Sequence, residues 1–187
     1  MGEVPAVLKL KQKDGAVVLI LGRRESGKSV LAYRLAQIVG RTTYAVSPEQ
    51  KPPEWVHELK LEEISELPPP ESTLIMDDLP VYMSSHSYQD AGVRVVEQII
   101  PVVRHRRKLL LIFSSQAASL SDRYVMDADL IFLKKPNLLY ADLERPAVAK
   151  FYKSIMPIFN QMNDAQAKRH AYLLSSDWKG LVSINLP

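Results

Sequence analysis

The sequence predicts an α/β fold in which a mainly parallel β-sheet is sandwiched between helices, within one domain of residues 1–187. Short apolar runs of strand length alternate with segments whose apolar residues recur at helical spacing. A glycine-containing loop at residues 22–29 joins the first continuous apolar run to the first long helical pattern. The length of 187 residues suits a single hydrophobic core. We therefore expect one α/β domain.

The first elements surround the glycine loop. Residues 7–11 alternate apolar and basic side chains, which predicts a half-exposed edge strand that turns at residues 13–15. Residues 16–21 are continuously apolar, as in a strand buried on both faces. Residues 28–39 carry apolar side chains at helical spacing and are followed by Gly40, a typical helix C-terminal residue. The predicted order is strand, strand, glycine loop, helix.

The middle of the chain is rich in proline. Residues 42–46 predict a short strand, and the following segment to Pro80 holds seven of the thirteen prolines. Proline interrupts central strands and helices, so we expect a surface connection with at most a short helix near residues 55–61. Residues 73–76 predict a third strand that ends on Asp77 and Asp78, and residues 89–103 predict a helix.

The last third predicts two further strands, a helix and a hairpin. Residues 109–114 and 130–133 are apolar runs of strand length, and residues 138–160 are mostly helical in pattern, with breaks expected at Pro146 and Pro157. Residues 171–175 and 181–185 flank a turn and predict a hairpin. We thus expect antiparallel edge strands at both ends of the parallel sheet.

Composition and charge exclude several classes of protein. The chain has no cysteine, which excludes disulfide bonds, and no apolar run of the ~18–20 residues that a membrane span needs. Lysines interrupt the N-terminal apolar residues, so a signal-peptide core is absent and we expect a cytoplasmic protein, or a virion-associated one if it is viral. The net charge of +3 is compatible with a polyanionic partner but does not require one.

Residues 22–29 match the pattern G-x-x-x-x-G-K-[ST] between a predicted strand and a predicted helix. Glycines let the backbone wrap around phosphate oxygens, so that successive N–H groups and the helix N-terminus face the negative charge. Lys28 is expected to reach the β- and γ-phosphates of ATP, and Ser29 offers its hydroxyl to Mg²⁺. The residues expected to bind the nucleotide are Gly22, Arg23, Arg24, Glu25, Ser26, Gly27, Lys28, Ser29 and Val30.

Polar residues at two other strand ends complete the predicted site. Asp77 is placed to hold Mg²⁺ through water, and Asp78 to polarise the attacking water. Gln116 follows the fourth strand, which we expect to lie between the strands carrying the phosphate loop and the two aspartates. There its side chain would contact the γ-phosphate or the water. The alternative for all three residues is that they are polar strand ends entering turns.

A basic turn at residues 104–108 precedes the fourth strand. Its arginines are candidates for insertion into a neighbouring subunit's nucleotide site, for contact with a nucleic-acid backbone, or for simple solvation. The sequence leaves these three interpretations open.

The loop, the residue 74–78 strand and the run from the basic turn to Gln116 resemble the HerA/FtsK superfamily of DNA-pumping ATPases, and above all its compact viral genome-packaging ATPases. Residues 128–133 and the terminal hairpin fit the same resemblance. It implies a RecA/ASCE-like P-loop NTPase domain that hydrolyses ATP with Mg²⁺. It also implies a homo-oligomeric ring that moves double-stranded DNA through backbone contacts, a capsid or portal-type partner, and Arg104 or Arg106 acting across the subunit interface.

Two departures from that family keep other functions open. Asp78 stands where the family usually has Glu, and none of the arginines of the basic turn is in unambiguous register. A switch-like helicase loader or remodelling ATPase of the DnaC/IstB type would suit the shorter carboxylate. Two further alternatives are a small-molecule kinase, with Arg106 or Arg107 holding the acceptor, and a nucleotide-binding subunit without turnover.

Overall fold

The computed structural model describes residues 5–47, 50–60, 68–77, 108–115, 127–136 and 146–184. The predicted helix at residues 89–103 lies outside the described residues.

The described strands form one sheet of eight, in the order β3-β2-β4-β5-β1-β6-β7-β8. The six strands from β3 to β6 in this order are parallel, and β7 and β8 are antiparallel. Their bounds are Ala16–Leu21 (β1), Thr43–Val46 (β2), His57–Glu58 (β3), Thr73–Met76 (β4), Leu110–Ser115 (β5), Leu130–Leu133 (β6), His170–Ser175 (β7) and Lys179–Ser183 (β8). The predicted α/β class and the C-terminal hairpin are confirmed, and β5 begins and ends one residue later than predicted.

In the described part of the chain, four helices cover the two faces of this sheet: α1 (Pro5–Gln12), α2 (Lys28–Val39), α3 (Pro146–Asn160) and α4 (Asp164–Lys168). On one face, Val18 and Ile20 of β1 belong to a core that includes Leu31 of α2 and residues of α1. On the other face, Leu19 belongs to a core that includes Phe159 of α3. Burial of β1 on both faces explains why all of its residues are apolar.

The predicted N-terminal edge strand is wrong, because these residues form α1. Apolar and basic residues alternate there, but Ala6, Val7 and Leu10 also fall at the spacing of one helical face, and all three are buried in the core shared with α2. Leu8, which a strand would place on the same side as Leu10, is 41% exposed. The edge of the sheet away from the hairpin is therefore β3, a parallel strand, and the sheet has an antiparallel edge at one end alone among the described residues.

At most a short helix was predicted near residues 55–61, and over the described part of this range a short strand forms instead. Residues 54 and 55 form a turn, and His57 and Glu58 form β3, paired with Tyr44 and Ala45 of β2. The His57 and Tyr44 rings stack, with centroids 5.1 Å apart. Sheet pairing and ring stacking outweigh a helical tendency that is too short to be stable alone.

Pro157 lies inside α3 and does not break it, contrary to the prediction. A proline removes one helical hydrogen bond. Here Tyr152, Ile155 and Phe159 are almost fully buried on one face of α3, and this packing holds the helix together to Asn160. Pro146 begins α3, where a proline needs no hydrogen-bond partner. The short helix α4 was not predicted.

Among the described residues, no helix combines the length and the apolar character that crossing a membrane would require.

Candidate nucleotide-binding site

The loop at residues 22–27 runs from the carboxyl end of β1 to the first residue of α2, and neighbouring strand ends hold it in place. The N–H of Gly22 donates to the carbonyl of Ser115 at 3.2 Å, and the N–H of Arg23 donates to the carbonyl of Lys135 at 3.3 Å. Glu25 and Gly27 adopt left-handed backbone angles, with φ of 58° and 86°. The chain therefore curls back on itself immediately before α2, as a loop that surrounds a phosphate group must.

Both glycines of the motif are required by this geometry. A Cβ on Gly22 would lie 2.6 Å from Cβ of Lys134, which is closer than two such atoms can come. A Cβ on Gly27 would add the strain of φ 86° and approach the Lys168 carbonyl oxygen to 3.1 Å. The loop is thus packed closely against the segments around Lys134 and Lys168, neither of which the motif itself predicts.

Lys28 begins α2 and is almost completely buried. Its Nζ donates a hydrogen bond to the carbonyl oxygen of Arg23 at 3.0 Å, so the amino group lies across the loop. Ser29 follows it in the first turn of the helix. Both residues therefore lie where the loop meets the helix.

Asp77 follows β4, two strands away from β1. Its backbone N–H donates to the Val46 carbonyl at 3.0 Å, and its carboxylate accepts a hydrogen bond from the Ser114 hydroxyl. Ser114 lies near the end of β5, the strand between β4 and β1, as predicted for the strand that precedes Gln116. A role for Ser114 was not predicted from the sequence. The sequence feature that could have indicated Ser114 is a hydroxyl near the end of an otherwise apolar strand.

A cavity of about 480 Å³ brings the phosphate loop and Asp77 together. Arg24, Glu25 and Val30 from the predicted set also line it, whereas Arg23 turns away and pairs with Asp164 of α4 at 2.9 Å. The described lining residues are Arg24, Glu25, Gly27, Lys28, Ser29, Val30, Ser47, Gln50, Asp77 and Lys168. Ser47, Gln50 and Lys168 were not predicted, because nothing in their local sequence marks them.

The chemistry of this cavity fits a nucleoside triphosphate and Mg²⁺. Its volume lies within the range of small-molecule sites, and Lys28 with the start of α2 supplies positive charge for phosphates. The hydroxyl of Ser29 and the carboxylate of Asp77 are oxygen donors of the kind that Mg²⁺ prefers, and both line the same cavity. These two residues would hold the metal.

Tyr33 lies on α2. Burial, followed by the negative charge of Asp77, raises the pKa of its phenol.

Asp78, Gln116, Arg104 and Arg106 lie outside the described residues, so their predicted roles remain predictions. Lys108 is the described member of the basic turn. It lies before the amino end of β5, whereas the phosphate loop follows the carboxyl end of the parallel strand β1, so the two lie at opposite ends of these strands. Its Nζ lies 3.8 Å from a carboxylate oxygen of Asp14 and 3.5 Å from one of Glu71.

The strand order, the loop between β1 and α2, and Asp77 at the end of β4 define the fold of a P-loop NTPase. No protein-family model matches the chain, and no curated protein matches it by sequence.

Solved structures do match the fold. One is the DNA-packaging ATPase B204 from Sulfolobus Turreted Icosahedral Virus, with 13% identity and a TM-score of 0.59 over 90% of this chain and 97% of that chain. Another is the genome packaging NTPase B204 from Sulfolobus turreted icosahedral virus 2 in complex with AMPPCP, with 16% identity and a TM-score of 0.62 over 94% and 100%. ATPases 2 and 3 of Thermomonospora curvata EccC match with 16% identity and a TM-score of 0.54, over 91% of this chain and 36% of that one. The predicted resemblance to compact viral packaging ATPases is confirmed at the level of the fold.

Proposed function

We propose that this chain, as one domain of residues 1–187, is an ATP-hydrolysing motor that translocates or packages double-stranded DNA as a ring oligomer. The observation that carries the proposal is a cavity lined by Lys28 and Ser29 at the start of α2 and by Asp77 after β4. The fold shared with two viral genome-packaging NTPases supports the choice of DNA as the substrate.

In this proposal the loop wraps the phosphates of ATP and Lys28 contacts the β- and γ-phosphates. Ser29, and Asp77 through water, would hold Mg²⁺, which would supply positive charge beside the phosphates. The hydrogen bond from Ser114 fixes the orientation of the Asp77 carboxylate. Asp78 polarises the attacking water, and Gln116 contacts the water or the γ-phosphate.

The contacts with DNA are proposed to be made to its phosphate backbone. The sequence carries no helix-turn-helix or zinc module that reads bases. Binding should therefore show little sequence preference and weaken steeply with salt. In a packaging assembly the ring would dock on a capsid or portal-type partner.

One observation favours a second candidate. Asp78 is one methylene shorter than the Glu usual in the resembling motors, so its carboxylate reaches less far toward the water. A switch-like helicase loader or remodelling ATPase, which binds ATP and hydrolyses it slowly, would suit this residue.

The test is ATP turnover measured with and without double-stranded DNA, at several protein concentrations, with Lys28→Ala as the inactive control. Turnover stimulated by DNA and rising with protein concentration supports the motor. ATP-dependent loading of a partner without DNA stimulation supports the second candidate, and phosphoryl transfer to a nucleoside or sugar supports a small-molecule kinase.

A further inference from the structure

Lys134, directly after β6, is completely buried. Its Nζ donates hydrogen bonds to the carbonyl oxygens of Lys168 and His170, each at 2.7 Å. The first acceptor is the last residue of α4, and the second begins β7. The amino group thus ties together two elements that follow each other in the chain.

The same residue packs directly against the phosphate loop. The backbone N–H of Lys134 donates to the carbonyl of Leu21 at 2.7 Å, just before the loop begins. Its Cβ fills the space that a side chain on Gly22 would need, and its Nζ would lie 3.6 Å from a Cβ on Gly27. Lys134 therefore lies against both glycines of the loop while its amino group is bound to α4 and β7.

The helix that accepts from Lys134 is itself fixed. Asn163 and Gln166 form a capping box at the start of α4, with hydrogen bonds of 2.8 and 3.0 Å. Asp164 pairs with Arg23 of the loop at 2.9 Å and with Lys135 at 2.8 Å. The exposed Arg23–Asp164 pair is a second link between the loop and α4, and the Lys135–Asp164 pair joins α4 to the segment after β6.

Packing alone does not account for an amino group at this position. Burial, and then the charge of Lys28, lower the pKa of Lys134 to about 7, so the site disfavours the ammonium form. A methionine of similar length would fill the same space without that penalty. What the lysine adds is the pair of hydrogen bonds to α4 and β7.

We propose that Lys134 is a positioning residue of the nucleotide site. It fixes the position of Gly22 and Gly27 relative to α4 and so keeps the phosphate loop in its binding conformation. The inference rests on the proposed function. Without the two hydrogen bonds, the loop and the adjacent Lys28 would have to be ordered during binding. The ordering cost would then reduce affinity for any ligand that fills the loop, ADP as well as ATP.

The test is isothermal titration calorimetry with ADP and with Mg²⁺-ATP, well below the unfolding temperature of each variant. Lys134→Met should weaken the affinity for both nucleotides about tenfold, the equivalent of ~1.4 kcal/mol. It should also raise the KM for ATP while leaving kcat nearly unchanged. Lys179→Met, which removes an exposed lysine of β8, is the matched control and should change neither affinity. Lower thermal stability with unchanged affinity would mean a structural role and overturn the inference.

A second variant keeps Lys134 in place. Asn163→Ala removes the capping box at an exposed position, loosens α4 and should weaken both nucleotides several-fold in the same direction. If Lys134→Met does not fold, this variant decides: weakened binding supports the inference and unchanged binding overturns it. Wild-type protein that binds neither nucleotide would overturn the proposed function and this inference together. Wild-type binding with unaffected variants would overturn this inference alone.

Discussion

Lys28 is the loop residue whose amino group lies across the phosphate site. Lys28→Ala should weaken Mg²⁺-dependent ATP binding and abolish turnover, because the γ-phosphate loses the cation that the phosphate loop supplies. Lys11→Ala, at an exposed position of α1, is a control that should change neither. Binding by calorimetry and phosphate release together test this. Undiminished hydrolysis by Lys28→Ala would contradict the assignment of residues 22–29 as a phosphate-binding loop.

Asp78 and Gln116 are predicted to act on the attacking water. Asp78→Asn should lower turnover by roughly 10²–10⁴-fold and leave ATP affinity nearly intact, since a water-polarising group acts mainly in the transition state. Gln116→Ala should show the same pattern in milder form. Single-turnover kinetics and equilibrium binding separate the two effects. A proportional loss of both in Asp78→Asn would make that residue a metal or structural residue.

The low pKa of Lys134 predicts a dependence of stability on pH. The folded chain holds this amino group at a pKa of about 7, below its ordinary value near 10.5, so between these values the unfolded chain binds more protons. The free energy of unfolding should therefore rise between pH 7 and pH 9. Urea unfolding at both pH values should show a smaller rise for Lys134→Met than for the wild type or Lys179→Met. An equal rise in the free energy of unfolding of all three proteins would contradict the lowered pKa of Lys134.

Helix α1 can be tested with two leucines that are two residues apart. Leu10 is buried against α2 and Leu8 is exposed, although a strand would place them on the same side. Leu10→Ala should reduce the free energy of unfolding by about 2–5 kcal/mol, and Leu8→Ala by less than about 0.5 kcal/mol. Urea unfolding measures both. Similar losses would favour the strand.

The elements that the sequence predicted correctly have strong local signals. Strand β1 is apolar throughout, and α2 is capped at its C-terminus by Gly40, whose φ is 77° and whose N–H donates to the Ala36 carbonyl. Helix α1, strand β3 and the unbroken α3 were predicted wrongly because distant packing decides each of them. The alternation in α1 suits a strand until α2 covers one side of it.

The same distinction applies to the candidate site. The phosphate loop is a contiguous motif, and Asp77 ends an apolar run, so both are visible locally. Ser114 and Lys134 could not be predicted in the same way, because their partners lie 34 to 37 residues away in the chain. Their contacts exist only once the strand order of the sheet is known.

The ring model predicts that turnover depends on assembly. An arginine inserted from a neighbour stabilises the charge on the γ-phosphate and contributes about a thousandfold or more in rate. Specific activity should therefore rise with protein concentration. An Arg104→Ala or Arg106→Ala subunit, inactive alone, should regain activity when mixed with a Lys28→Ala subunit that still supplies its arginine. Turnover independent of concentration, with no rescue on mixing, would contradict the ring and favour the switch-like loader.

The pairing of β1 also bears on how the chain is synthesised. Ala16 pairs with Leu110 of β5, and Val18 with Leu130 of β6, so about ninety residues must be added after β1 before either neighbour exists. At about 5–20 residues per second, that interval is roughly 5–20 s on the ribosome. Throughout this time the apolar strand β1 lacks both of the strands with which it pairs. We expect chaperones to bind the nascent chain until β5 has emerged.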